Sequence, residues 1–167
     1  MKLLKNLAVW AVCGAMGWFA PAAHAEDGTG LLGPGHWRLL VSPFSLHFRQ
    51  NPQHEYVWAL GMERQRIDNW LAGASYFSNS FGQPSAYLYV GKRYPGLWGQ
   101  PQLFGQWSAG MLYGYRGEFK NKVPLNYNGF SPGALVSLGW QFNKQHTATL
   151  HLLGDAGLMV QLAYDFD

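Results

Sequence analysis

The chain has a single cysteine in 167 residues, a charged content of only 13%, and no long apolar run outside its first 25 positions. Each shortage excludes something. Cys13 lies in a segment where Lys2 and Lys5 precede the apolar run from Leu7 to Ala20 and the small-residue sequence Ala23-His24-Ala25. That pattern predicts a cleaved secretory signal over residues 1–25, cut after Ala25. A lipoprotein cut at Cys13 is the rival reading, but it leaves too short an apolar run before the cut. The cysteine leaves with the signal, so the exported chain can form neither an internal disulfide nor a thiolate metal site. The two lysines leave with it, and the remaining 10 Lys and Arg stand against 9 Asp and Glu. So balanced a charge makes no case for a nucleic-acid partner. Residues 26–167 also hold nothing close to the roughly 18 apolar residues of a spanning helix.

Aromatics, by contrast, are abundant at 16%. An exported, disulfide-free chain with few charges and many aromatics suits a surface that meets lipid. With no helix to span a bilayer, such a chain crosses as strands.

Alternation of period two supplies the strands. In the tail, Leu158, Val160, Leu162, Tyr164 and Phe166 alternate with Met159, Gln161, Ala163 and Asp165. Upstream, Tyr56, Trp58, Leu60 and Met62 oppose Glu55, Val57, Ala59, Gly61 and Glu63, and Ala86, Leu88 and Val90 oppose Tyr87, Tyr89 and Gly91. Leu103, Trp107, Ala109 and Met111 oppose Gln106, Ser108 and Gly110; Ala134, Val136, Leu138 and Trp140 oppose Ser137, Gly139 and Gln141. Ala148, Leu150 and Leu152 oppose Thr147, Thr149 and His151. Two further strands, Leu39 to Arg49 and Asn69 to Ser80, alternate less cleanly.

The sum is an all-β domain over residues 26–167, an eight-stranded antiparallel transmembrane β-barrel closed so that no strand edge meets hydrocarbon. A soluble lipocalin-like barrel shares the period but calls for charge on the outer face, where the assigned residues are apolar and aromatic. Even strand number puts both ends in the periplasm and the long connection Arg116 to Ser131 outside. His47 and the pair Asn79-Ser80 then share the outer rim.

Asn, Ser, Gly and Pro are what turns select, so SYFSNSFGQPS (residues 75–85) reads first as a corner. The chemical reading of the same residues makes Ser80 a hydroxyl activated by His47 as base, with Asn79 orienting one of them or donating to an oxyanion. His151 lies mid-strand on the luminal side, suited to a polar network with Gln106, Gln141 or Gln161. His36, His54 and His146 read as loop or turn residues, and no pair of histidines has metal-site spacing.

The stretch SPFSLHFRQ (residues 42–50), the stretch WLAGASYFSNSFGQPSAYLYVGKRY (residues 70–94), SPGALVSLGWQF (residues 131–142) and the final VQLAYDFD together resemble the lipid A palmitoyltransferases of the Gram-negative outer membrane. The resemblance implies an outer-membrane barrel that moves an acyl chain from a phospholipid to lipid A, with His47, Asn79 and Ser80 at the family's His, Asp and Ser positions. It implies membrane lipids as partners, insertion by the barrel-assembly machinery, a monomer, and neither cofactor nor metal. Asn79 stands where the family has an acid, and GTGLLGPG (residues 28–35) predicts no helix ahead of the first strand. Tyr76-Phe77-Ser78-Asn79 is similar to the His-x-Ser-Asn motif of the lipid A deacylases, an alternative activity. The alternative from another class is a barrel without catalysis, either a narrow solute channel or transporter, or a structural membrane protein.

Overall fold

The computed structural model describes residue 30, residues 33–49 and residues 51–166. The signal expected over residues 1–25 lies outside the described residues. Eight strands form one closed antiparallel barrel, each hydrogen-bonded to the next and the last to the first. They are β1 (Gly35–His47), β2 (Ala59–Arg66), β3 (Trp70–Ser78), β4 (Pro84–Pro95), β5 (Leu103–Tyr113), β6 (Phe130–Gln141), β7 (His146–Leu152) and β8 (Gly157–Phe166). Short 3₁₀ turns lie at Leu97–Gly99 and Gly117–Lys122.

The period-two pattern is realised as a barrel turned inside out relative to a soluble one. Outward side chains are apolar and uncovered: Leu88 is 67% exposed and Leu46 56%, with Leu60, Val136, Leu138, Leu150 and Leu162 around the same belt. Inward side chains are largely polar and hidden, Arg38, Glu63, Arg93, Thr147, Thr149, His151 and Asp165 among them. Water tolerates scattered exposed leucines but not a continuous belt of them, whereas a bilayer requires the belt. The barrel is of the transmembrane kind.

The lumen is filled. Arg38 is fully buried; its Nε donates to Asp165 Oδ1 at 2.6 Å, Nη1 to Gln65 Oε1 at 2.8 Å and Nη2 to Thr147 Oγ1 at 2.9 Å. Glu63 completes the group, 3.5 Å from Arg38 Nη1 and accepting the Tyr89 hydroxyl at 3.0 Å. Above it the Tyr87 and Tyr89 rings stack with centroids 4.9 Å apart. Arg93 lies over the Phe104 ring at 3.9 Å, and that ring occupies the space a Cβ on Gly139 would claim, 2.1 Å from Cζ. A buried cation facing two carboxylates satisfies its fork donors without water, which a lumen this narrow cannot supply freely.

Two strands depart from simple alternation, for separate reasons. In β1 the register against β8 shifts between Val41 and Phe44, so both point outward although three positions apart. Pro43 sits in that bulge, where its missing N–H costs no ladder bond. In β3 the outward residues are mostly small, Ala72 and Ala74 with Tyr76, against inward Leu71, Gly73, Ser75 and Phe77, so hydropathy alone shows little contrast. His36 and His146, expected in loops, begin β1 and β7 instead; His36 Nε2 lies 3.3 Å from Asp165 Oδ2.

Pairing of β1 with β2 ends at Ser42↔Ala59, although β1 continues beside β8 to His47↔Gly157. Residues 55–58 stay with β3 instead, through Ser78 N donating to Trp58 O at 3.1 Å and Glu55 N to Ser80 O at 2.9 Å. The wall therefore parts between β1 and the approach to β2, just below the rim that carries His47. The Tyr56 hydroxyl reaches across the split to the Pro43 carbonyl.

Candidate functional site at the outer rim

β1 delivers His47 to the rim on its inward face, and the connection between β3 and β4 delivers Ser80. His47 Nε2 and Ser80 Oγ are 2.7 Å apart, a hydrogen bond between residues 33 positions apart in the chain. With the imidazole neutral and protonated at Nδ1, Nε2 accepts the serine proton, the arrangement by which a histidine activates a hydroxyl.

The corner that presents Ser80 is built by Asn79. Its Oδ1 accepts the backbone N–H groups of Phe81 at 2.9 Å and Gln83 at 3.1 Å, and its Nδ2 donates to Ser85 Oγ at 3.1 Å. Gly82, with φ of 70°, closes the turn through its N–H on the Asn79 carbonyl at 3.0 Å. Asn79 is 1% exposed, with its amide turned into its own loop. The sequence reading made it an orienter of His47 or of Ser80, or a donor to an oxyanion; in the structure it holds the turn on which Ser80 rides. A short side chain with one acceptor and one donor end suits that task better than a charged carboxylate does.

Aromatic rings surround the pair. His54, from the connection leading to β2, places its ring 4.1 Å from that of His47 and 5.6 Å from Phe81. Phe81 stacks on Phe119 at 4.3 Å, and Lys122 Nζ lies 5.3 Å over the Phe81 ring. Gln83 binds Arg116 twice, accepting its N–H at 2.8 Å and donating to its carbonyl at 3.2 Å. The long connection between β5 and β6 thus folds back over the rim and is tied to the Ser80 corner. Tyr115, at its start, sets its ring edge-on to Phe81 with centroids 6.2 Å apart, and burial pushes its phenol above the ordinary range.

His47 and Ser80 come together as the parity of the strands predicts, while Asn79 joins them only through the backbone. Tyr115 and His54 were not found from sequence, because both lie in connections where no period operates. His151, expected in a network with glutamines, holds a second serine instead: its Nδ1 lies 2.7 Å from Ser137 Oγ, and its Nε2 is buried without a hydrogen-bond partner. That pair is buried in mid-barrel, away from the rim.

No protein-family model and no curated protein matches the chain. A solved structure does. It comes from work described as "De novo design of transmembrane beta-barrels", with a TM-score of 0.55 and 13% identity over 80% of this chain and 97% of that one. The likeness is one of fold: a closed transmembrane barrel of the same scale.

Proposed function

We propose that the chain is an acyl-transfer enzyme of the Gram-negative outer membrane, working at the outer leaflet on a phospholipid acyl ester with lipid A as acceptor. The 2.7 Å contact between His47 Nε2 and Ser80 Oγ carries this reading. His47 takes the Ser80 proton as the serine oxygen attacks the ester carbonyl, then returns it to the departing lipid alkoxide. A hydroxyl of lipid A, deprotonated by the same imidazole, attacks the acyl-serine and frees Ser80. The parted wall between β1 and the approach to β2 supports the reading, since it lies beside His47 on the lipid-facing side of the barrel and offers an acyl chain a lateral way in.

Lipid A from a strain lacking its own acyltransferase, expressing this chain, is the test, read by mass spectrometry. An added acyl chain that disappears with Ser80→Ala supports transfer. A lost chain would point to the deacylase alternative. A spectrum with neither change sinks both.

One observation favours a second reading. The lumen closed by Arg38, Glu63, Asp165 and the Tyr87–Tyr89 stack suits a structural barrel as well as an enzyme. It argues against a conducting channel. Liposomes carrying the protein are expected to show no solute swelling or single-channel current.

A further inference from the structure

The outer end of the barrel carries cations that no acid on the protein answers. Arg116, Lys120 and Lys122, all exposed, lie in the connection between β5 and β6, where Glu118 is the single acid. Among the described residues, no carboxylate stands within ion-pairing distance of any of the three. Two of them rest on aromatic rings instead: the Arg116 guanidinium lies 5.7 Å from the centre of the Tyr113 ring, and Lys122 Nζ 5.3 Å from that of Phe81. Such contacts hold a cation in place without neutralising it. The Arg116 backbone is fixed as well, by its two hydrogen bonds with Gln83. Its side chain donates from Nη1 to the Tyr113 hydroxyl at 3.5 Å, and the rest of the fork meets no acceptor among the described residues.

The surroundings of Arg116 select the anion. Tyr113 ends β5 and Phe130 begins β6; they pair across the two strands on the outward face, with ring centroids 4.9 Å apart. Aromatic residues at strand ends mark the level where acyl chains give way to headgroups. An arginine fork seated on that girdle suits phosphate, whose oxygens accept two parallel N–H bonds. A lipid packed against the exposed Met111 on the same outward face carries its phosphate to that height. We propose that Arg116 binds the phosphate of a lipid headgroup in the outer leaflet, above the Tyr113 and Phe130 rings, with Lys120 and Lys122 adding positive potential around it. The site follows from the lipid-facing barrel and not from acyl transfer, so it stands whether or not Ser80 reacts.

The protein in phosphate-free maltoside micelles, titrated with dioleoyl phosphatidic acid and read by native mass spectrometry, provides the test. Phosphatidic acid is expected to bind about tenfold more tightly than dioleoylglycerol, which has the same chains and no phosphate. Arg116→Ala is expected to remove about tenfold in affinity, and Arg116→Lys, which keeps the charge but not the fork, about threefold. Lys120→Ala combined with Lys122→Ala is expected to cost about threefold. Lys144→Ala, in the connection between β6 and β7 at the opposite end of the barrel, is expected to change nothing. The proposal is overturned if dioleoylglycerol binds as tightly as phosphatidic acid, if Arg116→Ala leaves the affinity unchanged, or if Lys144→Ala weakens it as much as Arg116→Ala does. Displacement of the lipid by equimolar inorganic phosphate would also overturn it, since the site would then belong to a soluble anion.

Discussion

Ser80→Ala and His47→Ala each remove one half of a hydrogen bond on which hydroxyl activation depends, without touching the barrel wall. Each is expected to lower acyl transfer by roughly 10² to 10⁴, measured as labelled acyl chains gained by lipid A, while heat-modifiable migration on gels stays that of a folded barrel. Asn79→Ala is expected to act differently. It strips the turn of three side-chain hydrogen bonds, and the cost is about 2 kcal/mol of unfolding free energy in urea titration, with activity falling only as Ser80 loses its place. The His47–Ser80 meeting was legible in the sequence because strand parity puts both on one rim. The task of Asn79 was legible too, as the ordinary turn chemistry of Asn, Ser, Gly and Pro, and the structure favours that plainer reading. Tyr115 was not legible: nothing in the spacing of a loop shows which of its aromatic residues the backbone will turn inward.

Among the elements, β1 and the connection between β3 and β4 carry the site, and β1 and the connection folded over it, between β5 and β6, each make a prediction. β1 runs beside β8 to His47 but leaves β2 at Ser42, with Pro43 at the bulge. Amides of residues 44–47 that point away from β8 have no ladder partner and are expected to exchange roughly a hundredfold faster than those pointing toward it, read by hydrogen exchange in micelles. A bulge of this kind hides in sequence, since a shift of one residue looks like noise in an alternating pattern. β3 hid for another reason, its outward alanines being nearly as small as its inward glycine and serine. The β5–β6 connection is pinned at one point by the Phe81–Phe119 stack. Phe119→Ala is expected to cost about 1 kcal/mol locally and to loosen the backbone around the already exposed Lys120 and Lys122, seen as faster tryptic cleavage there with the barrel itself intact.

At the scale of the molecule, the architecture was legible in the sequence because a lipid-facing barrel repeats one simple rule along eight strands, apolar out and polar in. The composition of the lumen was less so: alternation puts Glu63 and Asp165 on inward faces, but Arg38 lies just ahead of the strand read from Leu39, and nothing in the period shows that the three meet. Arg38→Ala leaves Glu63 and Asp165 buried without their cation. It is expected to cost about 3–5 kcal/mol, measured by urea unfolding in lipid bilayers. The same guanidinium joins the first strand to the last through Asp165, with His36 beside it. A sheet rolling up during insertion therefore gains its strongest polar bond only when its two outermost strands come together. Assembly should accordingly be all-or-none at that step, with half-rolled sheets left carrying an unpaired charge that drives them either to completion or to degradation.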